Sequence, residues 1–353
     1  MSDTASPPFP TRLHQAGIID AAGLATLQTL TRPPWWLALL LGFAAWVASL
    51  LILSSFFVPV LVLGNGPVVR GIGGILLAAA SVFLFRLRKP FTDQMGLAFS
   101  LAGQSLFVSA FAERFSDFVE GADVLALAAL AASLAMAVVP ATTLHRSACA
   151  LLALSSLAWL IGPGTGLALF GIATAAAAAA LWLARPTWAA RPRAALIKAA
   201  AHALTLTALT IAPYGHAHSM LSVLEEAITG SRTGLVLPVY RIGAALVLLA
   251  TTAWLCRDSV ALRLPALAGA LLFALAAYAT PGLPIATALL LATFQASHRP
   301  WVAMTLVFAT LYLGELYYSL QETLLVKSLA LIASGAVLLV LRTLLRTRAG
   351  RTA

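Results

Sequence analysis

Long uninterrupted apolar runs dominate this chain and constrain its fold more than any other feature. The run LALLLGFAAWVASLLILSSFFVPVLVL, which follows Trp36, contains no charged residue. An α-helix needs about 20 apolar residues to cross a bilayer. Hydrophobic residues make up 61% of the chain and charged residues 10%, whereas soluble domains are roughly one quarter charged. The runs are continuous and do not alternate, which excludes a β-barrel. The sequence predicts an all-α transmembrane bundle whose main partner is the lipid bilayer.

Twelve such runs are predicted as membrane spans. Two pairs of them are joined by short Pro-Gly motifs, GPGTG and TPGLP, which are typical of tight hairpins. The predicted spans cover residues 35–56, 66–86, 92–112, 122–140, 145–162, 165–184, 197–213, 237–256, 260–279, 281–297, 300–318 and 324–343.

The distribution of charge predicts the orientation of these spans. Basic residues gather in the cytoplasmic loops of membrane proteins. If the N-terminus is cytoplasmic, 17 of the 22 Lys and Arg residues fall in cytoplasmic segments, and eight of the 12 acidic residues fall outside. The alternation holds to the end of the chain, so an even number of spans with both termini cytoplasmic is predicted. The net charge of +10 is dispersed over short loops, which indicates membrane orientation and not nucleic-acid binding.

The domain organisation follows from this arrangement. A leader contains RLHQAGIIDAAGLATLQTL, in which Gly17 suits the end of one short helix and Asp20 the start of the next. We expect two six-helix membrane halves, connected by a basic loop and followed by a basic tail. The predicted boundaries are 1–34 for the leader, 35–184 and 199–345 for the halves, 185–198 for the loop, 213–236 for an outer loop and 346–353 for the tail.

An internal repeat is suggested by two spans. PVVRGIGGILLAAASVFLFR at 67–86 and PVYRIGAALVLLATTAWLCR at 238–257 align without gaps, with seven of 20 positions identical. Arg70 and Arg241 occupy equivalent positions in this alignment. A duplication would relate two parallel halves by an axis along the membrane normal. Chance similarity between Ala- and Leu-rich helices is the alternative.

Few strongly polar residues lie deep in the predicted spans. A charge at the centre of a bilayer is costly and marks function, yet no Asp, Glu, Lys or Arg lies near a midpoint. Gln104 and His202 are the most interior polar groups, and such groups either hydrogen-bond a neighbouring helix or relay protons. Cys149 and Cys256 lie in apolar segments, so we expect neither a disulfide framework nor a metal cluster.

The remaining polar residues gather at the outer ends of the spans. One interpretation is a candidate ligand or partner site, in which basic residues hold an anionic group and carboxylates bind or move protons. The other is ordinary interface chemistry, with basic side chains reaching the headgroups and tyrosines forming an aromatic belt. The candidate residues are Arg70, Arg241, Glu315, Tyr318, Glu322 and Lys327.

Signatures of metal and cofactor chemistry are weak. His216 and His218, followed by Glu225 and Glu226, contain ligand types that zinc accepts, but there is no HExxH motif. No GxSxG, phosphate-binding loop or GxGxxG motif with the required context is present. We therefore expect no metal, no cofactor and no assigned catalytic residue.

The C-terminal segment YYSLQETLLVKSLALIASGAVLLVLR, Tyr317 to Arg342, resembles the end of a bacterial family of polytopic inner-membrane proteins of unknown function. The leader resembles the N-terminal hairpin of a sister family. The resemblance implies an inner-membrane location and a small membrane-anchored partner encoded nearby, named for its GDYXXLXY motif. It implies no activity. The matching residues are Tyr317, Tyr318, Leu320, Thr323, Leu324, Leu325, Lys327, Ser328, Ser334 and Gly335.

Three functions fit the sequence. The first is a non-enzymatic accessory or scaffold subunit of an envelope complex. The second is a transporter or lipid flippase, which predicts a cavity lined by Gln104, His202 or Arg70. The third is a membrane-embedded transferase at the outer leaflet, which requires Glu315, Glu322 or His216 to converge on one cavity.

Overall fold

The computed structural model describes residues 9–29, 35–63, 66–115, 121–215 and 236–319, together with Ile332. The described residues are 86% helix, and they contain no strand. Its helices are α1 (Phe9–Gln15), α2 (Ala21–Thr29), α3 (Trp35–Leu63), α4 (Pro67–Arg86), α5 (Pro90–Phe115), α6 (Gly121–Ala137), α7 (Thr143–Ile161), α8 (Thr165–Leu183), α9 (Arg185–Trp188), α10 (Ala194–Ile211), α11 (Val236–Leu255), α12 (Val260–Ala276), α13 (Gly282–Gln295) and α14 (Arg299–Ser319).

Helices occupy the first eleven predicted spans, and the twelfth, 324–343, lies almost wholly outside the described residues. Within the described part of the chain, six helical segments are long and apolar enough to cross a membrane. Others, such as α13 with 14 residues, are shorter than a full span. The structure therefore indicates a membrane protein, while the count of twelve, the side of the termini and the repeat stay predictions. The six segments are Pro67–Arg86, Pro90–Phe115, Thr143–Ile161, Thr165–Leu183, Ala194–Tyr214 and Val236–Leu255.

Large apolar side chains are exposed on several helices and next to their ends. Leu264 is 79% exposed, Val138 73% and Phe294 72%. Exposed apolar area on this scale is unfavourable in water. Lipid is the solvent that such side chains require.

The chain divides into two compact units, Met1–Asn65 with Leu76–Gly103, and Gly66–Ile75 with Gln104–Ala353. The first unit contains the leader, in which α1 and α2 form a hairpin. Gly17 has a φ of +68°, and the Asp20 carboxylate accepts a hydrogen bond of 2.7 Å from the Gly23 N–H. These are the helix-ending and helix-capping roles that the sequence predicts for the two residues.

The core of the second unit is built on small residues, which let helices approach closely. Helix α8 packs here against α10, α11 and α13, and α13 packs against α10 and α11. Gly243 of α11 faces Ile172 of α8, where an added Cβ would overlap the isoleucine. The buried alanines of this core include Ala168, Ala175, Ala178, Ala201, Ala208, Ala244, Ala286, Ala288 and Ala292.

The GPGTG motif forms the predicted tight connection between α7 and α8. Gly162 has a φ of +71° and Gly164 a φ of +126°, which side chains other than glycine rarely adopt. The Gly164 N–H donates a hydrogen bond of 2.6 Å to the Tyr214 hydroxyl oxygen. The turn is thereby tied to the segment that follows α10. The predicted domain boundaries 35–184 and 199–345 stay a prediction.

Candidate functional site

Arg70 lies in the first turn of α4 and forms an ion pair with Glu113, in the last turn of α5. The arginine side chain is mostly buried and the glutamate is half exposed. The positive charge predicted to hold an anionic ligand therefore contacts a carboxylate of the chain itself.

Arg241 occupies the equivalent position in the first turns of α11. Its guanidinium lies over the Tyr278 ring, 4.8 Å from the ring centre, which is a cation–π contact. Tyr278 follows the end of α12. Each arginine thus contacts a residue at the far end of the next helix, Glu113 for Arg70 and Tyr278 for Arg241. The two arginines therefore connect two different helix pairs, and their predicted role in binding a ligand stays a prediction.

Gln104 belongs to a buried polar network that crosses three helices. The Ser133 hydroxyl of α6 donates to the Gln104 side-chain oxygen at 3.2 Å. The Gln104 amide donates to the Cys149 sulfur of α7 at 3.7 Å. The His145 Nε2 lies 3.6 Å from the same sulfur. All four side chains are buried, so the Cys149 thiol is not exposed as a nucleophile. The network instead connects α5, α6 and α7.

His202 belongs to a cluster of two imidazoles and two indoles. Its ring lies 5.8 Å from Trp182 and 5.1 Å from Trp301. The His298 ring lies 5.5 Å from that of His202. The Ser147 hydroxyl of α7 is 3.3 Å from the His202 Nδ1. We call Trp182, His202, His298 and Trp301 the ring cluster; it joins α8, α10 and α14.

Hydrogen bonds from neighbouring residues hold the ring cluster in place. The Trp182 Nε1 donates to the Thr205 hydroxyl at 2.9 Å, and that hydroxyl donates to the Ala201 carbonyl at 2.6 Å. The Arg185 guanidinium donates a hydrogen bond to the carbonyl of Ala296, two residues before His298. Burial, together with the positive charges of Lys198 and Arg185, lowers the pKa of His298. Burial and these charges thus disfavour the protonated imidazole.

A cleft of about 610 Å³ opens at the end of the second unit where α7 and α10 end. Its walls come from the first turn of α6, the last turns of α7, the start of α8 and the end of α10 with the turn after it. Asp123, Trp159, Thr207 and Tyr214 contribute its principal polar and aromatic groups. The sequence reasoning missed this cleft. Its walls come from segments far apart in the chain, and no periodic pattern marks them.

The structure describes some residues of the predicted outer site and not others. Glu315 is half buried near the end of α14, and Tyr318 is in the same helix. Glu322 and Lys327 lie outside the described residues, as do His216, His218, Glu225 and Glu226. The cleft includes none of Gln104, His202, Arg70 or Glu315 in its lining. This cleft is therefore not the cavity lined by Gln104, His202 or Arg70 that a transporter predicts.

His145 and Cys149 were not predicted to act together. Their spacing of four residues places them on one helix face, which is the signal that would have paired them. The described residues contain no group of three or more His, Cys, Asp or Glu side chains that could hold a metal ion.

Comparison with known proteins identifies a family. The model of a family described as Domain of unknown function (DUF4401) matches residues 34–348. No curated protein and no solved structure matches the chain. The expectation of a family without an assigned function is confirmed.

Proposed function

The chain belongs to the family described as Domain of unknown function (DUF4401), and because that description assigns no activity, we propose a function from the chain's own geometry. The proposal is that this membrane protein is a non-catalytic accessory or scaffold subunit of an envelope complex. Its membrane would be the bacterial inner membrane, as the resemblance of the C-terminal segment implies.

One observation carries the proposal: the polar side chains best suited to chemistry connect helices to one another. Gln104 bonds to α6 and α7, and His202 contacts rings from α8 and α14. Arg70 is neutralised by Glu113. A catalytic site needs such groups at a surface that substrate reaches. Here they are used to fix the relative positions of helices, as a scaffold requires.

The close packing of the second unit supports the same role. Buried alanines and Gly243 bring α8, α10, α11 and α13 together. A carrier needs two bundles that move against each other around a central binding site in each cycle. The cleft reaches Ser155, six residues before the end of α7, and Thr207, four residues before the end of α10, so it enters the bundle by about one to two helical turns. This depth favours a site on the surface of a packed bundle over a pathway through it.

The proposed partner is a small membrane-anchored protein that faces the periplasm. Support comes from the resemblance of Tyr317 to Arg342 to a family whose members are often encoded beside such a protein. We place the contact at the outer polar segment that contains Glu315, Glu322 and Lys327.

Co-purification tests this function. The tagged chain, extracted in a mild detergent, should retain the product of the adjacent gene in a fixed ratio. A Glu322→Ala, Lys327→Ala double variant should lose that product while keeping its own thermal stability. An Arg257→Ala, Asp258→Ala variant is the matched control, because this exposed pair lies between α11 and α12, on the side predicted to be cytoplasmic.

The non-catalytic part of the proposal has its own test. Cys149→Ala and His202→Phe variants that remain folded should still form the complex and support growth as the wild type does. A folded variant that keeps the complex but loses the cellular phenotype would show that these side chains perform chemistry.

A further inference from the structure

We propose that the cleft beside Asp123 binds a protonated amine attached to an apolar group, such as the headgroup of an aminophospholipid. This inference goes beyond the accessory role and does not depend on it. The volume of about 610 Å³ is in the range of small-ligand sites, which is roughly 300–1,000 Å³.

The first argument is the hydroxyl of Thr207. The side chain is 3% exposed, lines the cleft, and has no hydrogen-bond partner among the described residues. Its neighbours in α10 behave differently, since Thr205 donates to the Ala201 carbonyl and Thr210 to the Leu206 carbonyl. A buried hydroxyl without a partner is costly. A ligand in the cleft would supply the missing hydrogen bond.

The second argument is charge. Asp123 provides a carboxylate, and no Lys or Arg is present among the described lining residues. The cleft therefore favours a cation over an anion. Trp159, which also lines the cleft, offers an indole face, and aromatic faces attract ammonium groups. A carboxylate beside an indole suits a protonated amine.

The third argument is the apolar part of the wall. Leu160, Leu167 and Ile211 line the cleft together with Pro163 and Ala158. These side chains can bury hydrocarbon, which rules against a small, fully hydrated cation such as free ammonium. The combination indicates an amphiphile with a cationic end. A membrane offers this as a lipid headgroup, and a free long-chain amine carries the same chemistry.

Native mass spectrometry of the detergent-solubilised full chain tests the proposal. Phosphatidylethanolamine should bind at a lower lipid concentration than phosphatidylglycerol with the same acyl chains. Asp123→Asn should weaken the phosphatidylethanolamine complex about tenfold or more, because it removes a charge-assisted contact. Asp258→Asn is the matched control, since that exposed carboxylate lies between α11 and α12 and should bind as the wild type does.

Thr207→Val distinguishes a loss of ligand binding from damage to the fold, because the two would change the melting temperature differently. It removes the unpaired buried hydroxyl with little change in shape, so the ligand-free protein should melt at the same temperature or higher. The same variant should bind phosphatidylethanolamine more weakly. Thr310→Val is its control, because the Thr310 hydroxyl already bonds to its own helix at Leu306.

Titration with decylamine distinguishes the two sources of the amine. Binding of phosphatidylethanolamine that depends on Asp123 identifies a lipid site. Binding of decylamine that depends on Asp123, without selectivity for phosphatidylethanolamine, identifies a site for free amphiphilic amines. If neither probe binds more tightly than phosphatidylglycerol, or if Asp123→Asn leaves both affinities unchanged, the proposal is wrong.

Discussion

Arg70 and Glu113 form an ion pair that ties the first turn of α4 to the last turn of α5. Both residues belong to segments that the charge distribution predicts on the outer side of the membrane. A contact between the start of one helix and the end of the next is the geometry of an antiparallel helix pair. The pair shows how this chain uses polar residues at helix ends, which is to hold neighbours in place.

A double-mutant cycle measures the strength of this pair. Arg70→Ala, Glu113→Ala and the double variant should show a coupling energy of about 0.5–1 kcal/mol in thermal unfolding, as for partly exposed ion pairs. Arg257 and Asp258 provide the control, because they are adjacent in sequence and largely exposed. That second cycle should show no measurable coupling. Equal coupling in both cycles would contradict a structural role for Arg70.

Thr205→Val tests the hydrogen bond that connects Thr205 to Trp182 of the ring cluster. The substitution leaves the buried Trp182 Nε1–H without its acceptor, which costs about 1–3 kcal/mol. The melting temperature of the purified protein should fall. Thr210→Val is the control in the same helix, because the exposed Thr210 side chain bonds only to its own helix, and it should melt within a degree or so of the wild type. A wild-type melting temperature for Thr205→Val would show that Trp182 has another acceptor.

Gly243→Ala tests the close approach of α11 and α8. The added methyl group would overlap the Ile172 side chain, and overpacking of this kind costs about 1–3 kcal/mol. Gly269→Ala is matched in chemistry, since Gly269 also lies within a helix but has nothing within 4 Å of an added Cβ. We expect Gly243→Ala to unfold at lower temperature and Gly269→Ala to be neutral or slightly stabilised. The reverse order would contradict the packing described for this core.

Much of the helical architecture could be predicted from the sequence, because the apolar run of each span predicts a helix without reference to the rest of the chain. Apolar runs and Pro-Gly motifs predict the position of α7, the GPGTG turn and α8 to within two residues at each end. Local capping chemistry similarly predicts the roles of Gly17 and Asp20 in the leader. These features depend only on neighbours along the chain.

The contacts between helices could not be predicted in the same way. Gln104 is recognisable as an interior polar group, but its partners Ser133 and Cys149 depend on how three helices rotate about their axes. His298 lies at the end of a predicted span, and only the packing of α14 brings it to His202. The cleft depends on four separate segments. Hydropathy is uniform across such faces, so it carries no information about which side chains meet.

The protonation of His298 predicts how stability depends on pH. Burial, with the charges of Lys198 and Arg185, lowers its pKa in the folded protein, so the unfolded chain binds the proton first. The contribution of His298 to the free energy of unfolding is therefore fully present above the pKa of this histidine in the unfolded chain, near 6.5. It is lost as the pH falls below that value. The melting temperature in detergent should decrease from pH 7 to pH 5. A His298→Gln variant should lose part of that decrease, and an unchanged pH profile in the variant would exclude His298 as its source.

The central prediction is that the chain forms a polytopic membrane bundle with an even number of spans and both ends on the cytoplasmic side. Reporter fusions after Pro163, after Ala190 and at Ala353 test it directly. Green fluorescent protein should fluoresce at Ala190 and Ala353, and alkaline phosphatase should be active only at Pro163. Phosphatase activity at Ala353, or the same reporter result at Pro163 and Ala190, would contradict the account.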